Sequence, residues 1–418
     1  MNFPPFRGLM SLAKNGLVPP FRGLWLINRL RRFLGIAVGS RAARAAFAQQ
    51  WTHTFFDISS SPLTSRLDAR QWTHTLFWHP VFAINLSAMV FARAVTLPHG
   101  SRCTYHVITR CTRRAFLFGE GREHRRGWLA ASLADTIPHF GLDLLSYAIM
   151  SNHVHLIVRL RPERVDGWST TEAARHALRV FPARSGWQNE ALPMTTALIE
   201  GHAAHKVWLK QQRERLTSLS WFMRVVKQAI SRRANAEDEC RGHFWESRFH
   251  HVALLDEAAV IACMVYVDLN PIRARLAKTI AKSSYTGGRG RLLLSEQADD
   301  GAWEPGEKAL TKRMVSTRSV APVHAVTGDE QTSWLNGPDY LRVLDSTIAG
   351  APKSAWHGHL MNACSNLAID VDRWHSVMGE GGRFGGTALG AADPRRQLAE
   401  HVRREWIADK SGLFVGQG

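Results

Sequence analysis

Cysteine is scarce and scattered in this 418-residue chain. The five cysteines, Cys103, Cys111, Cys240, Cys263 and Cys364, include no C-x-x-C pair. An odd, dispersed set argues against a disulfide framework or a zinc ribbon, and a reducing cytosol is the simplest compartment for it. Acidic residues are also short: 35 Asp and Glu stand against 53 Lys and Arg, for a formal net charge of +18. That deficit points to a polyanionic partner, nucleic acid before membrane. A clean signal-peptide pattern is missing: no small-residue cleavage site follows a compact apolar core. The long apolar run Leu76–Ala92 is interrupted by His79, Pro80 and Asn85, and no second run follows. No membrane span is therefore expected. A regular repeat is missing too. "PPFRGL" recurs after 15 residues and "QWTHT" after 21, and two different periods do not build a solenoid.

What is present falls into three parts. Residues 1–88 hold ten Lys or Arg and only two acids, Asp57 and Asp68. They read as an atypical extension, with Met89 as the natural start and the repeats as upstream DNA seen through the reading frame. Residues 89–290 carry the organised patterns. "CTYHVITRC" from Cys103 alternates and is rich in β-branched residues, which predicts a strand. An arginine-rich loop follows, and Gly127–Gly141 has helical spacing. Asp143–Leu160 reads as strand, turn and strand, and about 161–215 as a helical insertion. Leu216–Glu237 is a basic amphipathic helix, Gly242–Leu254 a turn and strand, and Asp256–Leu276 a helix with Asp256 as its N-cap and Pro271 stopping it just past Asn270. The fold class expected is α+β, with helices on one face of the sheet. Residues 291–418 read as a linker and a mostly helical region, clearest at Arg395–Ile407.

The chemistry concentrates in "MSNHVHLIV", residues 150–158. Side chains at i and i+2 of a strand share a face, so His153 and His155 project together while Val154 and Leu156 face a core. Two such imidazoles can ligate one divalent metal, or they can simply be a hydrogen-bonded pair of strand histidines. Further on, Tyr266 and Asn270 stand at i and i+4 of the helix Asp256–Leu276, on one helical face. Were that helix to cross the histidine strand, the Asn carboxamide oxygen could complete a site for magnesium or manganese, with the Tyr hydroxyl beside it.

"YHVITRC", "YAIMSNHVHLIV", "SWFMRVVKQAISRRANAED", "GHFWESRF" and "YVDLNPIRARL" occur in that order. Together, over about residues 89–290, they resemble the single-tyrosine HUH transposases of the IS200-like and REP-associated kind. The resemblance implies a ferredoxin-like antiparallel sheet and a bacterial DNA transposase that cleaves and rejoins single strands. It implies His153 and His155 as metal ligands with Asn270 as the third, Mg2+ or Mn2+ as the ion, and Tyr266 as the nucleophile that forms a 5′-phosphotyrosine link. The partner it implies is single-stranded or hairpin DNA, such as repetitive palindromes, bound by a homodimer in the cytoplasm, at the nucleoid. Arg110, Arg113, Arg114 and Arg248 would contact phosphates. Arg224 and Lys227 on the basic helix would track the strand, with Trp245 stacking a base; Trp221 and Phe222 are expected in the core.

The sequence departs from the family pattern at Arg275 and Ser247, where glycine is usual, and at His250 and His251. These positions touch turns and DNA contacts. Two other readings stand beside the enzyme. One is a catalytically inactive or domesticated relative that binds hairpins. The other is a barrel metal hydrolase, disfavoured by the helical sequence after residue 160.

Overall fold

The structure of the chain, a computed structural model, describes residues 103–185, 190–294, 307–310, 321–327, 333–349, 357–381, 384–402 and 406–414. All of them lie in one compact unit, Val90–Gly418. The readings made on the two repeats, on Leu76–Ala92 and on a start at Met89 fall outside the described residues.

The sheet starts with β1 (Thr104–Arg110), followed by α1 (His124–Thr136), β2 (Leu142–Ile149) and β3 (His153–Leu160). The insertion holds four helices: α2 (Pro162–Asp166), α3 (Thr170–Val180), α4 (Thr196–Ala204) and α5 (Lys206–Leu216). Helix α3 opens with a capping box in which Ser169 and Glu172 satisfy each other's backbone N–H groups. Then come α6 (Leu219–Glu237) and β4 (His250–Leu254). The strand order is β2-β3-β1-β4 with antiparallel pairing throughout. This is the ferredoxin-like α+β arrangement that the resemblance implied.

Alternation along each strand divides the sheet into two apolar faces. Tyr105, Val107, Leu144, Tyr147, Val154, Leu156 and Val158 pack with α1 and with Leu219, Phe222, Met223, Val226 and Ile230 of α6. Each such aliphatic side chain contributes about 1.5–3 kcal/mol by leaving water. Helices cover the second face as well, where the sequence reading placed them on one face only. Leu145, Ala148, Ile157, Val252 and Leu254 on that face are apolar and need cover. It comes from α7 (Glu257–Asp268), which is buried around most of its circumference.

Asp256 caps α7 by accepting from Ala259 N at 2.7 Å. The helix ends at Asp268, short of the stop just past Asn270 that the sequence suggested, and α8 (Asn270–Arg273) follows as a separate turn. Pro271 accounts for the break, because it has no N–H for the Val267 carbonyl and its ring crowds that carbonyl.

The C-terminal region is helical, as expected, and joins the core. Helices α9 (Gly287–Leu294) and α10 (Gly337–Ala349), and then α11 (His357–Asn366) and α12 (Val371–Ser376), add Tyr340, Leu344, Leu360 and Trp374 to the cluster around α7. A short strand, β5 (Ala388–Leu389), pairs parallel with β4, and α13 (Ala392–His401) follows, in place of a helix over Arg395–Ile407. No described helix is long and apolar enough to cross a membrane.

Candidate active site

Strand register gathers the site residues on the second face of the sheet. Arg110 of β1 stands opposite His153 of β3, and Ile108 stands between His155 on one side and His250 on the other. His153 and His155 have ring centroids 4.8 Å apart. Helix α7 crosses this face and brings the Tyr266 ring to 6.1 Å, centroid to centroid, from both His155 and His106. Asn270, on the turn after the break, donates from its amide nitrogen to the Tyr266 carbonyl at 3.3 Å. The structure thus brings Tyr266 and the two strand histidines together, with Asn270 four residues beyond the tyrosine.

Hydrogen bonds select the histidine tautomers. Asn152 donates from Nδ2 to the Arg114 carbonyl at 3.1 Å, which turns its Oδ1 toward His153 Nδ1 at 2.7 Å. His153 therefore carries its proton on Nδ1 and presents a lone pair at Nε2. His155 Nδ1 meets His106 Nε2 at 2.8 Å. Nδ1 of His106 is buried without a partner of good geometry, the Phe384 backbone being the group that favours a proton on that ring.

Burial keeps all three rings neutral. It pushes His153 from 6.5 to about 4, with the Arg110 charge acting in the same direction, and His106 to about 3. His155 lies well below 6.5, again through burial first and then through His106, His153, Arg110 and Arg273. Among the described residues, no three His, Cys, Asp or Glu side chains group to hold a metal. A divalent ion here would have to take two imidazole nitrogens and the Asn270 carboxamide oxygen. Neutral imidazoles and an amide oxygen are competent donors for such an ion, so the residues fit it in kind.

The depressed imidazoles make a pH prediction. Unfolded histidines take up protons near pH 6.5, the folded ones only nearer pH 4, so between those values the unfolded chain binds more protons. In a chelator, the urea midpoint is expected to fall as the pH drops from about 7 to about 4, with His153 alone contributing about 3 kcal/mol of that loss. A midpoint that holds steady or rises across that window would show that these rings are not buried neutral.

Two features here escaped the sequence reading. Arg273 holds its guanidinium 4.5 Å from the Tyr266 ring centroid, and its charge acts on both Tyr266 and His155. Burial raises the Tyr266 phenol above its ordinary range, while Arg273, the Asn270 side chain and Arg110 oppose that rise. The signal was in "NPIRARL", where Arg273 follows Asn270 by three residues. Phe116 is 66% exposed on the β1–α1 loop, beside the exposed Arg113 and Arg114. The juxtaposition "RRAF" was legible as a basic–aromatic pair.

The proposed DNA contacts separate into exposed and buried groups. Arg110, Arg113, Arg114, Arg224 and Arg248 are exposed. Arg113 and Arg114 adopt left-handed backbone conformations, with φ of 52° and 56°, which are uncommon outside glycine. Arg224 lies over Trp221, itself half-buried, while Phe222 is in the core as expected. Lys227 is tied by Nζ to the Ser247 carbonyl at 2.7 Å. Trp245 is corrected: it is 6% exposed, packs among Phe118 and Phe244, and donates Nε1–H to the Lys227 carbonyl at 3.0 Å, so it has no open face for a base. Arg125, at the start of α1, is buried and paired with Glu237 and Asp238.

Two comparisons with known proteins gave a match. A solved structure, described as a REP-associated tyrosine transposase bound to a REP hairpin, aligns over 49% of this chain and 88% of its own, at 11% identity and a TM-score of 0.30. No curated protein matches the chain. Residues 99–165, which span β1, α1, β2 and β3 with both histidines, match the model for the IS200-like transposases. Through that segment the chain is similar to the IS200-like transposases.

Proposed function

We propose that the chain cleaves and rejoins single-stranded DNA, with Tyr266 as nucleophile. The observation that carries this reading is the position of Tyr266, 6.1 Å in ring centroids from His155, over a strand that lies within the family match. Tyr266 Oη attacks the scissile phosphorus, forming a 5′-phosphotyrosine bond as the P–O3′ bond breaks, and the phenolic proton passes to the departing 3′ oxygen. The covalent link retains the phosphodiester energy, so a 3′-hydroxyl can reverse the step on a new end. Burial makes the free phenolate scarce, so the attack depends on groups that stabilise charge at the phosphate. Arg110 and Arg273 supply positive charge there. A magnesium or manganese ion held by His153, His155 and Asn270 would polarise the phosphate and stabilise its transition-state charge. Arg113, Arg114 and Arg248 line the path of the strand, and Phe116, rather than Trp245, offers an aromatic face for a base.

The test is a labelled single-stranded hairpin incubated with the full chain and Mn2+. The expected result is a denaturation-resistant protein–DNA adduct that maps to the peptide carrying Tyr266 and is lost with chelator. Salt-dependent binding with no adduct under any metal would replace this reading with that of a hairpin-binding relative.

A further inference from the structure

The C-terminal region reaches the candidate site through Phe384. Phe384 is 3% exposed, and its ring centroid lies 4.4 Å from that of Tyr266 with the planes 31° apart. The segment that carries it is pinned along its length. Ala253 N donates to the Thr387 carbonyl and Leu255 N to the Leu389 carbonyl, both at 3.0 Å, as β5 pairs with β4. Asp256 then joins the strap to the start of α7: one carboxylate oxygen caps the helix at Ala259 N, and the other accepts from Ala391 N, each at 2.7 Å. Gly390 makes the turn between them with φ +148°. A Cβ there would lie 2.7 Å from Asp256 Oδ2, so the approach requires glycine.

The helix that carries Tyr266 and the strap that carries Phe384 thus share one anchor, Asp256. The Tyr266 ring has Arg273 as a further neighbour at 4.5 Å, with the His106 and His155 rings edge-on. A nucleophile in line with a phosphorus tolerates little angular freedom, and a misplacement near 1 Å can cost about 10²-fold in rate.

We propose that Phe384 is a positioning residue for Tyr266, held by a strap anchored on β4 and Asp256, so that the C-terminal region completes the candidate site. The proposal rests on the reading of Tyr266 as nucleophile, and its test separates the two. The full chain is labelled with 3-fluorotyrosine. It has only five tyrosines, and Tyr266→Phe identifies the Tyr266 signal. In Phe384→Ala, the fluorine resonance of Tyr266 should shift or broaden while Tyr105 and Tyr147, on the other face of the sheet, hold theirs. Adduct formation should slow about 10- to 100-fold, with hairpin affinity unchanged. Phe384→Leu, which keeps most of the apolar volume, should recover a large part of the rate, and Gly390→Ala should disturb the same resonance by displacing the strap. An unmoved Tyr266 resonance in both Phe384 variants overturns the proposal. So does a faster adduct in Phe384→Ala, which would make Phe384 a cover. Absence of any adduct in the unmodified chain would sink the nucleophile reading, while the fluorine measurement would still decide whether Phe384 holds the ring.

Discussion

Tyr266→Phe is expected to form no covalent adduct with hairpin DNA, a loss of at least ~10³-fold that no other single substitution on α7 should match. The phenyl ring retains the volume that packs against Phe384 and beneath Arg273, so α7 should keep its place and the protein its fold. Only the oxygen that would bond to phosphorus is lost. Hairpin affinity should stay within about twofold, because the phenol is neutral and the exposed arginines proposed to attract phosphates, such as Arg110, Arg113 and Arg114, are untouched. Gel resolution of denatured samples reads the adduct, and a binding titration at fixed salt reads the affinity. Equal adduct from Tyr266→Phe would assign the chemistry to another nucleophile.

Asp268→Ala is expected to give the largest loss of stability, about 3–5 kcal/mol, because it strands a buried cation. Asp268 is wholly buried at the end of α7. It accepts from Ser146 Oγ of β2 at 2.5 Å and from Tyr340 Oη of α10 at 2.7 Å, and it faces Arg291 Nη1 of α9 at 3.5 Å. Arg291 also donates to the Leu145 and Ala321 carbonyls. One carboxylate therefore joins the sheet, helix α7 and the C-terminal helices two residues past Tyr266. Glycine is required beside it, since a Cβ at Gly287 would lie 2.8 Å from Ser146 Oγ and 3.0 Å from Asp268 Oδ1. Removing both charges, as in Asp268→Leu with Arg291→Met, should restore much of the loss, since an apolar pair of similar volume can replace a buried ion pair. Urea unfolding at pH 7 measures both variants. An Asp268→Ala chain as stable as the original would show that the network contributes nothing net.

Much of the core was legible because alternation and helical spacing are local. The period of two in "HVHLIVRL" places His153 and His155 on one side of their strand, and the sheet puts them there; His106, which joins them from β1, was not singled out. The helix break at Pro271 was half-legible: proline was read as a stop, yet the helix ends at Asp268, because the missing hydrogen bond and the ring clash act a turn earlier. Trp245 shows the limit. An aromatic between basic residues reads equally as a stacking platform or as core, and only the packing of Phe118 and Phe244 against it chose core. Phe116, with the same kind of neighbours, lies in the open.

The sequence by itself determined the α+β class, the shared face of the two histidines, and the tyrosine and asparagine four residues apart, since each follows from short-range periodicity or spacing; the ferredoxin-like sheet was what the family resemblance implied. The tertiary structure alone decided that α7 lies across the histidine face, that Arg273 reaches the tyrosine ring, and that Phe384 arrives from more than a hundred residues away to pack on it. Those contacts depend on which apolar surfaces remain uncovered once the sheet has formed. The second face, with its buried histidines and aliphatics, had to be closed by something, and no local pattern in the chain records that α7 and the C-terminal region would close it together.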